Sequence, residues 1–159
     1  MKYYVCKRSA ATTSEALEVL GGNGYTEDFI QAQMYRDSQI GTVWEGSGNV
    51  AALDVLRAIH KEPQCLDAFL DECELGRGGH PVLDAHLDTL RSLPLAEPWQ
   101  ARRTVEALAL GLEASLIVRF APEAVADAFC SSRLGDRGFA FGTLPHAEAC
   151  TIIERTLEI

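Results

Sequence analysis

The sequence has no long apolar run, no paired cysteine motif and no excess of basic residues, and each absence excludes a class of protein. Its hydrophobic stretches are too short to cross a membrane, and the residues after Arg8 are small and polar where a signal peptide would be apolar. The five cysteines form no C-x-x-C pair, and no histidine stands near them at metal-ligand spacing. We therefore expect no membrane association, no metal site and a cytoplasmic protein whose cysteines are reduced and buried.

Acidic residues outnumber basic ones, and the imbalance is concentrated in the second part of the chain. The sequence has 23 Asp and Glu against 14 Lys and Arg, which gives a formal charge of −9. Residues 1–62 contain 6 basic and 8 acidic side chains (−2), whereas residues 63–159 contain 8 and 15 (−7). Nucleic-acid binding needs clustered positive charge, and the pair Arg102-Arg103 is too small a cluster. Nucleic acid is therefore an unexpected partner, and DNA binding is disfavoured.

Apolar residues recur at helical spacing along most of the chain, and no segment shows the alternation typical of a strand. The fold class is therefore predicted to be all-α, a helical bundle. Thr26 or Asp28 is expected to cap the second helix, and Ser47 or Asn49 the third. The helices are predicted at residues 3–20, 28–37, 49–59, 64–75, 81–93, 98–120, 122–134 and 146–157.

A change of composition at Lys61-Glu62-Pro63 marks a predicted domain boundary, because a helix rarely continues into a proline. Residues 1–62 are expected to form one helical domain. Residues 63–159 are expected to form a C-terminal helical extension.

One carboxylate lies on a glycine-flanked turn, in the segment Trp44-Glu45-Gly46-Ser47-Gly48-Asn49, directly before an apolar helix. A carboxylate that removes a proton beside a thioester carbonyl needs protection from water and a pKa tuned by partial burial. Glu45 suits that role, since the ring of Trp44 could exclude water and Gly46 lets the backbone approach a flat ligand. The alternative is a solvated acidic residue that is favoured near a helix N-terminus for electrostatic reasons alone.

A second glycine-rich segment, Gly21-Gly22-Asn23-Gly24, follows the first predicted helix. Exposed N–H groups in such a turn can bind phosphate oxygens. A glycine pair after a helix is also a common left-handed C-cap, so the segment alone does not distinguish the two roles. It is not the dinucleotide-binding fingerprint, because no strand precedes it.

Taken together, Leu20–Tyr25, Tyr35–Asp37 and Trp44–Asn49 at these separations resemble the C-terminal helical domain of the acyl-CoA dehydrogenase flavoprotein family. The resemblance is closest to the alkylation-response, AidB-like branch, and it covers about residues 2–60. Residues 63–159 resemble the helical tail of that branch more loosely. Glu18, Trp44 and Gly48 depart from the residues common in dehydrogenases of the family, and these departures favour the AidB-like branch.

The resemblance implies a site for FAD and an acyl-CoA. Glu45 falls in the place of the base that takes the α-proton of the acyl-CoA while a hydride passes to FAD. The implied cofactor contacts are Ser47 and Asn49, and, toward the FAD of a neighbouring subunit in a homo-oligomer, Gly21, Gly22 and Gly24. We also expect Glu45 and the glycine turn to share one concavity.

Two functions from different classes follow. In the first, the chain is a fragment of an FAD-dependent acyl-CoA dehydrogenase of the AidB-like type, which needs missing N-terminal domains and has little activity alone. In the second, it is a non-catalytic helical interaction or oligomerisation module that retains the motifs as structural turns.

Structural roles are expected for the remaining polar and aromatic candidates. Arg36 is expected to pair with a carboxylate and stabilise the second helix. Phe139 and Phe141 are expected to anchor their glycine-rich loop to the core, or else to contact a partner. Surface or capping roles are expected for the histidines, which are His60, His80, His86 and His146.

Overall fold

The computed structural model describes residues 1–135, 141–142, 144 and 146–157, and over these residues the protein is all-α, as predicted. A 3₁₀ turn at Pro98–Gln100 precedes α7, and a π-helical turn at Cys130–Leu134 follows α8. The helices are α1 (Lys2–Val19), α2 (Gly22–Tyr25), α3 (Ile30–Ile40), α4 (Gly48–Lys61), α5 (Gln64–Glu74), α6 (Pro81–Leu90), α7 (Ala101–Phe120), α8 (Glu123–Phe129) and α9 (His146–Leu157).

The first of two compact units consists of Met1–Lys61 together with Pro94–Glu106. Here α1 packs along α3 and against α4. Buried Ala52 and Leu56 of α4 form an apolar core with Ala101 and Val105. Burial of apolar surface is the main stabilising contribution to such a core. Residues 94–106 thus belong to the same unit as the first four helices.

The turns between these helices differ from the sequence prediction. Residues 22–25, predicted as part of a turn, form the one-turn helix α2 after Gly21, whose φ is +56°. The residue before α3 is Phe29, which makes no side-chain capping hydrogen bond. The predicted caps Thr26 and Asp28 are therefore wrong, and the Thr26 hydroxyl donates instead to the carbonyl of Asn23 at 3.3 Å.

The second compact unit consists of Glu62–Leu93 together with Ala107–Ile159. Its buried side chains include Cys73, Leu83, Leu87 and Cys130. Gly111 allows α7 to approach α6 closely, since a Cβ there would lie 2.7 Å from Leu90 Cδ1. Its place inside a long helix, which costs about 1 kcal/mol relative to Ala, is explained by this packing. The division into a helical domain at 1–62 and a C-terminal extension at 63–159 remains a prediction, because the two compact units do not test it.

Of the five cysteines, two are buried as expected, two are half-buried and one is exposed. Cys73 and Cys130 are fully buried, and burial raises the pKa of each thiol to about 11, which keeps it protonated and unreactive. Cys65 is exposed, and its thiol lies 3.7 Å from Glu62 Oε2. The expectation of burial is wrong at Cys65 because it falls on the outer face of α5.

Two histidine side chains in the second unit make hydrogen bonds with the backbone. His80 caps α6, since its Nδ1 accepts from the backbone N–H of Val82 at 3.1 Å. A capping role is one of the two roles predicted for the histidines. His86 Nε2 lies 2.9 Å from the carbonyl oxygen of Ala107.

Within the described part of the chain no helix is long and apolar enough to cross a membrane. Phe141 is exposed, whereas Phe139 lies outside the described residues.

One charge network in the second unit centres on Glu74. This carboxylate accepts hydrogen bonds from Arg77 at the end of α5 and from Arg91 after α6, and Arg77 also donates to Asp88. The hydrogen bond from Arg77 is the largest cause that lowers the pKa of Glu74, and the hydrogen bond from Arg91 adds to it. The pKa falls from 4.5 to about 2. The folded state therefore stabilises the ionised form of Glu74.

We predict that Glu74→Gln lowers the free energy of unfolding by about 1 kcal/mol at neutral pH. Glu74 forms ion pairs with both Arg77 and Arg91, and a partly exposed ion pair contributes less than about 1 kcal/mol. Because the folded pKa is depressed, this contribution is fully present above pH 4.5 and is lost as the pH falls from 4.5 toward about 2. Urea unfolding of both proteins between pH 2 and 7 measures the difference. A difference that stays constant across this range would contradict the network.

Candidate functional site

Glu45 lies in a turn that its neighbours hold in an unusual backbone conformation. After α3 the chain tightens, and the N–H of Trp44 donates to the carbonyl of Ile40 at 3.0 Å. Glu45 then has φ +54° and Gly46 φ +105°. A left-handed φ at a non-glycine residue is uncommon and often marks a functional position. We call residues 44–47 the glutamate turn.

The first residue of α1 anchors this turn. Lys2 Nζ donates to the carbonyl oxygen of Trp44 at 2.6 Å and lies 3.7 Å from Glu45 Oε2. The side chain of Glu45 is nevertheless 81% exposed, and Trp44 is 60% exposed. The expected partial burial of Glu45 is therefore wrong for this chain, because the ring of Trp44 also faces solvent and does not cover the carboxylate.

Ser47 and Asn49 lie next to the glutamate turn, at the beginning of α4. The carbonyl of Ser47 accepts from the N–H of Ala51 at 2.9 Å, so α4 begins at Gly48. Gly48 is buried against α1, since a Cβ there would lie 2.6 Å from Lys7 Cε. Asn49 is exposed, and its Oδ1 accepts from Arg102 Nε at 2.6 Å.

The three glycines of the glycine turn (residues 21–24) differ in their packing and in their backbone conformation. A Cβ at Gly24 would overlap the carbonyl oxygen of Leu17, so close packing of α2 on α1 requires a glycine there. Gly21 needs its positive φ, yet nothing lies within 4 Å of a Cβ built on it. Gly22 has equally open space and no positive φ. Gly21 and Gly22 therefore leave their backbone accessible to a ligand or a partner.

A groove beside the glycine turn is lined by residues that include Leu17, Tyr25 and Tyr35. Arg36 also lines it and makes two hydrogen bonds to the Glu27 carboxylate, at 2.7 and 3.0 Å. The hydrogen bonds from Arg36 lower the pKa of Glu27. The predicted pairing of Arg36 with a carboxylate is confirmed.

The glutamate turn and the glycine turn lie at opposite ends of α1. Glu45 is near Lys2, whereas Gly24 packs against Leu17, and the 15 residues between them correspond to about 22 Å of helix. The groove that includes Gly46 and Gly48 shares no residue with the one beside Tyr25. The expectation of one shared concavity is therefore wrong within a single chain, because a straight helix separates the two turns.

Two residues beside the glutamate turn were not singled out by the sequence motifs. Lys2 is 42 positions from Trp44, and Arg102 is 53 positions from Asn49. Arg102 also stacks over the ring of Tyr3, with 6.0 Å between its Cζ and the ring centroid. Burial raises the pKa of Tyr3, and the charge of Arg102 opposes this rise. The two adjacent arginines at positions 102 and 103 are the sequence feature that could have indicated a role for Arg102.

Basic side chains gather at this end of the unit. Lys2, Lys7 and Arg102 place positive charge around the start of α4, where backbone N–H groups also favour anions. Asn49 adds an exposed amide, and Ser47 is exposed beside it. Across the described residues, no group of three His, Cys, Asp or Glu side chains could hold a metal ion.

We predict that Gly24→Ala and Gly22→Ala differ sharply in stability. The added methyl group at residue 24 must displace the end of α1, so we expect a loss of about 1–3 kcal/mol. The same change at residue 22 meets open space and should shift stability by about 0.5 kcal/mol or less. Thermal and urea unfolding measure both, and equal stabilities would contradict the packing of α2 on α1.

Comparison with known proteins identifies the family. Residues 1–60 match the model of the acyl-CoA dehydrogenase C-terminal domain. The chain is 32% identical over 139 residues, 86% of its length, to the putative acyl-CoA dehydrogenase AidB of Escherichia coli (strain K12). It is 41% identical over 69 residues, 43% of its length, to acyl-CoA dehydrogenase family member 11 of Caenorhabditis elegans.

A third relative is the mitochondrial short/branched chain specific acyl-CoA dehydrogenase of Rattus norvegicus, 38% identical over 61 residues and 38% of this chain. The chain spans 26% of the Escherichia coli relative, 11% of the Caenorhabditis elegans relative and 14% of the rat relative. The range matched by the family model, residues 1–60, contains α1 to α3 and nearly all of α4, and it carries both turns. The chain therefore belongs to the acyl-CoA dehydrogenase family, and residues 1–60 correspond to the C-terminal domain of that family.

Proposed function

We propose that this chain supplies the C-terminal part of an FAD-dependent acyl-CoA dehydrogenase-like oxidoreductase of the AidB-like type. The reaction is removal of hydrogen from the α and β carbons of an acyl-CoA. The observation that carries the proposal is the strained, anchored position of Glu45 at the start of α4, inside a region that matches the family.

In this proposal Glu45 is the base that accepts the α-proton. Its left-handed backbone and the hydrogen bond from Lys2 to the Trp44 carbonyl define the path of the turn that carries the carboxylate. The Lys2 ammonium lies 3.7 Å from Glu45 Oε2, beside the carboxylate that would act as the base. FAD, when bound, accepts the hydride from the β carbon. Ser47 and Asn49 would contact the flavin nucleotide from the same side.

The glycine turn would belong to the binding site of a neighbouring subunit. Gly21 and Gly22 leave open space about one helix length from Glu45, so within one chain they do not border its carboxylate. We propose that these glycines, with Gly24 holding the turn in place, meet the FAD of a neighbouring subunit. A homo-oligomer would then be needed to complete each site.

The chain by itself is expected to have little activity. Glu45 is 81% exposed, so water competes for the carboxylate and weakens electrostatic effects on its proton transfer. Further domains or a neighbouring subunit would have to cover it. The −7 balance of residues 63–159 makes DNA a disfavoured partner for this protein.

A second candidate function is a non-catalytic interaction module. Exposed apolar side chains lie close together in sequence around the glycine turn, and a partner would remove them from water. They are Val19, Leu20, Tyr25, Phe29, Ile30 and Met34. This alternative predicts no proton transfer by Glu45 in any assembly.

A chimera tests the proposal against this alternative. The 61-residue segment of the rat short/branched chain enzyme that matches this chain is replaced by the matching residues of this chain. Anaerobic bleaching of the bound flavin by a branched acyl-CoA then reports dehydrogenation. We predict that Glu45→Gln slows bleaching by about 10²–10⁴-fold, the usual contribution of a general base, while FAD stays bound.

Glu15→Gln is the matched control, because Glu15 is also an exposed glutamate of the same compact unit. It should bleach at the rate of the parent chimera. Unchanged bleaching in Glu45→Gln would refute the assignment of the base. Stoichiometric FAD binding and rapid bleaching by the 159-residue chain alone would refute the proposed need for further domains.

A further inference from the structure

Residues beyond the family match pack against the candidate site. Residues 94–106 lie outside the matched range of 1–60, yet they belong to the same compact unit. Ala101 and Val105 at the start of α7 are buried against Ala52 and Leu56 of α4. The first turn of α7 is therefore a fixed support beside the start of α4.

Arg102 uses this support to reach Asn49. Its Nε donates to Asn49 Oδ1 at 2.6 Å, and its guanidinium lies over the ring of Tyr3. Arginine has five N–H donors and no acceptor, so the atom of the Asn49 amide that faces it must be the oxygen. A charge-assisted hydrogen bond of this kind fixes the orientation of the amide.

The fixed orientation determines what Asn49 can recognise. With Oδ1 engaged, the Nδ2 group presents its two hydrogen-bond donors away from Arg102. Such a group selects an oxygen or nitrogen acceptor on a ligand. Both Asn49 and Arg102 are exposed, so a ligand can approach, and the positive charge of Arg102 favours an anionic one.

We infer that Arg102 is a positioning residue for cofactor binding: it turns the Asn49 amide so that Nδ2 donates to an acceptor atom of the flavin nucleotide. The inference rests on the proposed function, since it takes FAD as the ligand. It adds that the segment after the family domain contributes to the cofactor site. Asn49 touches the nucleotide, and Arg102 acts through Asn49.

The first part of the test needs no ligand and uses the whole chain. Arg102→Met keeps much of the aliphatic stem and removes the donors, and Arg103→Met removes a neighbouring exposed arginine as the control. In ¹H–¹⁵N spectra, we expect the side-chain NH₂ of Asn49 to become more mobile in Arg102→Met and to stay unchanged in Arg103→Met. Equal mobility in all three proteins would overturn the inference at this step.

The second part titrates excess FAD into the same proteins and follows the Asn49 side-chain resonances, which report weak binding to the part of the site that this chain carries. Loss of one hydrogen bond predicts a Kd for FAD that is about threefold to tenfold higher in Arg102→Met, with no change in Arg103→Met. Asn49→Asp separates positioning from stability, because a carboxylate still accepts from Arg102 but has no donor. It should keep the stability of the parent chain and weaken FAD binding.

The outcomes distinguish this inference from the proposed function. Equal FAD affinity of the parent chain and Arg102→Met would overturn the inference and leave the proposed function standing. FAD binding that is unchanged in Asn49→Asp would also overturn it. A parent chain in which FAD shifts no resonance of Asn49 would overturn the cofactor role of both residues, and it would count against the proposed placement of FAD at the start of α4.

Discussion

The close packing of α1 against its neighbours is the constraint on which the rest of the first unit depends. Two glycines without side chains permit it, since a Cβ at Gly24 would overlap the Leu17 carbonyl and one at Gly48 would lie 2.6 Å from Lys7 Cε. The first contact fixes the glycine turn at one end of α1, and the second fixes the start of α4 at the other. Both turns are therefore positioned by one glycine of their own motif that packs closely against α1.

This constraint separates the two motifs within one chain. Helix α1 runs from Lys2 to Val19 without a break, so it holds the glutamate turn and the glycine turn a full helix length apart. In the proposed homo-oligomer, a site that uses both combines them from different chains. The exposed carboxylate of Glu45 and the open space at Gly22 are what such a shared site would leave uncovered in a single copy.

The fold could be predicted from the sequence further than the site could. Helical periodicity identified the all-α class and placed most helices to within a few residues, because each helix buries one apolar face. It missed α2, and it placed caps at Thr26 and Asp28, because tertiary packing of Gly24 decides the backbone there. The contacts of Lys2 with Trp44 and of Arg102 with Asn49 join residues 42 and 53 positions apart, and no local pattern encodes such pairs.

Complementation between two inactive chimeras of the rat enzyme tests the central claim most directly. One chimera carries Glu45→Gln, and the other carries Gly22→Arg, at a position where an added Cβ meets nothing within 4 Å. If each site takes its base and its glycine turn from different chains, mixed oligomers must regain flavin reduction that neither parent shows. A mixture no more active than its two parents would contradict the account.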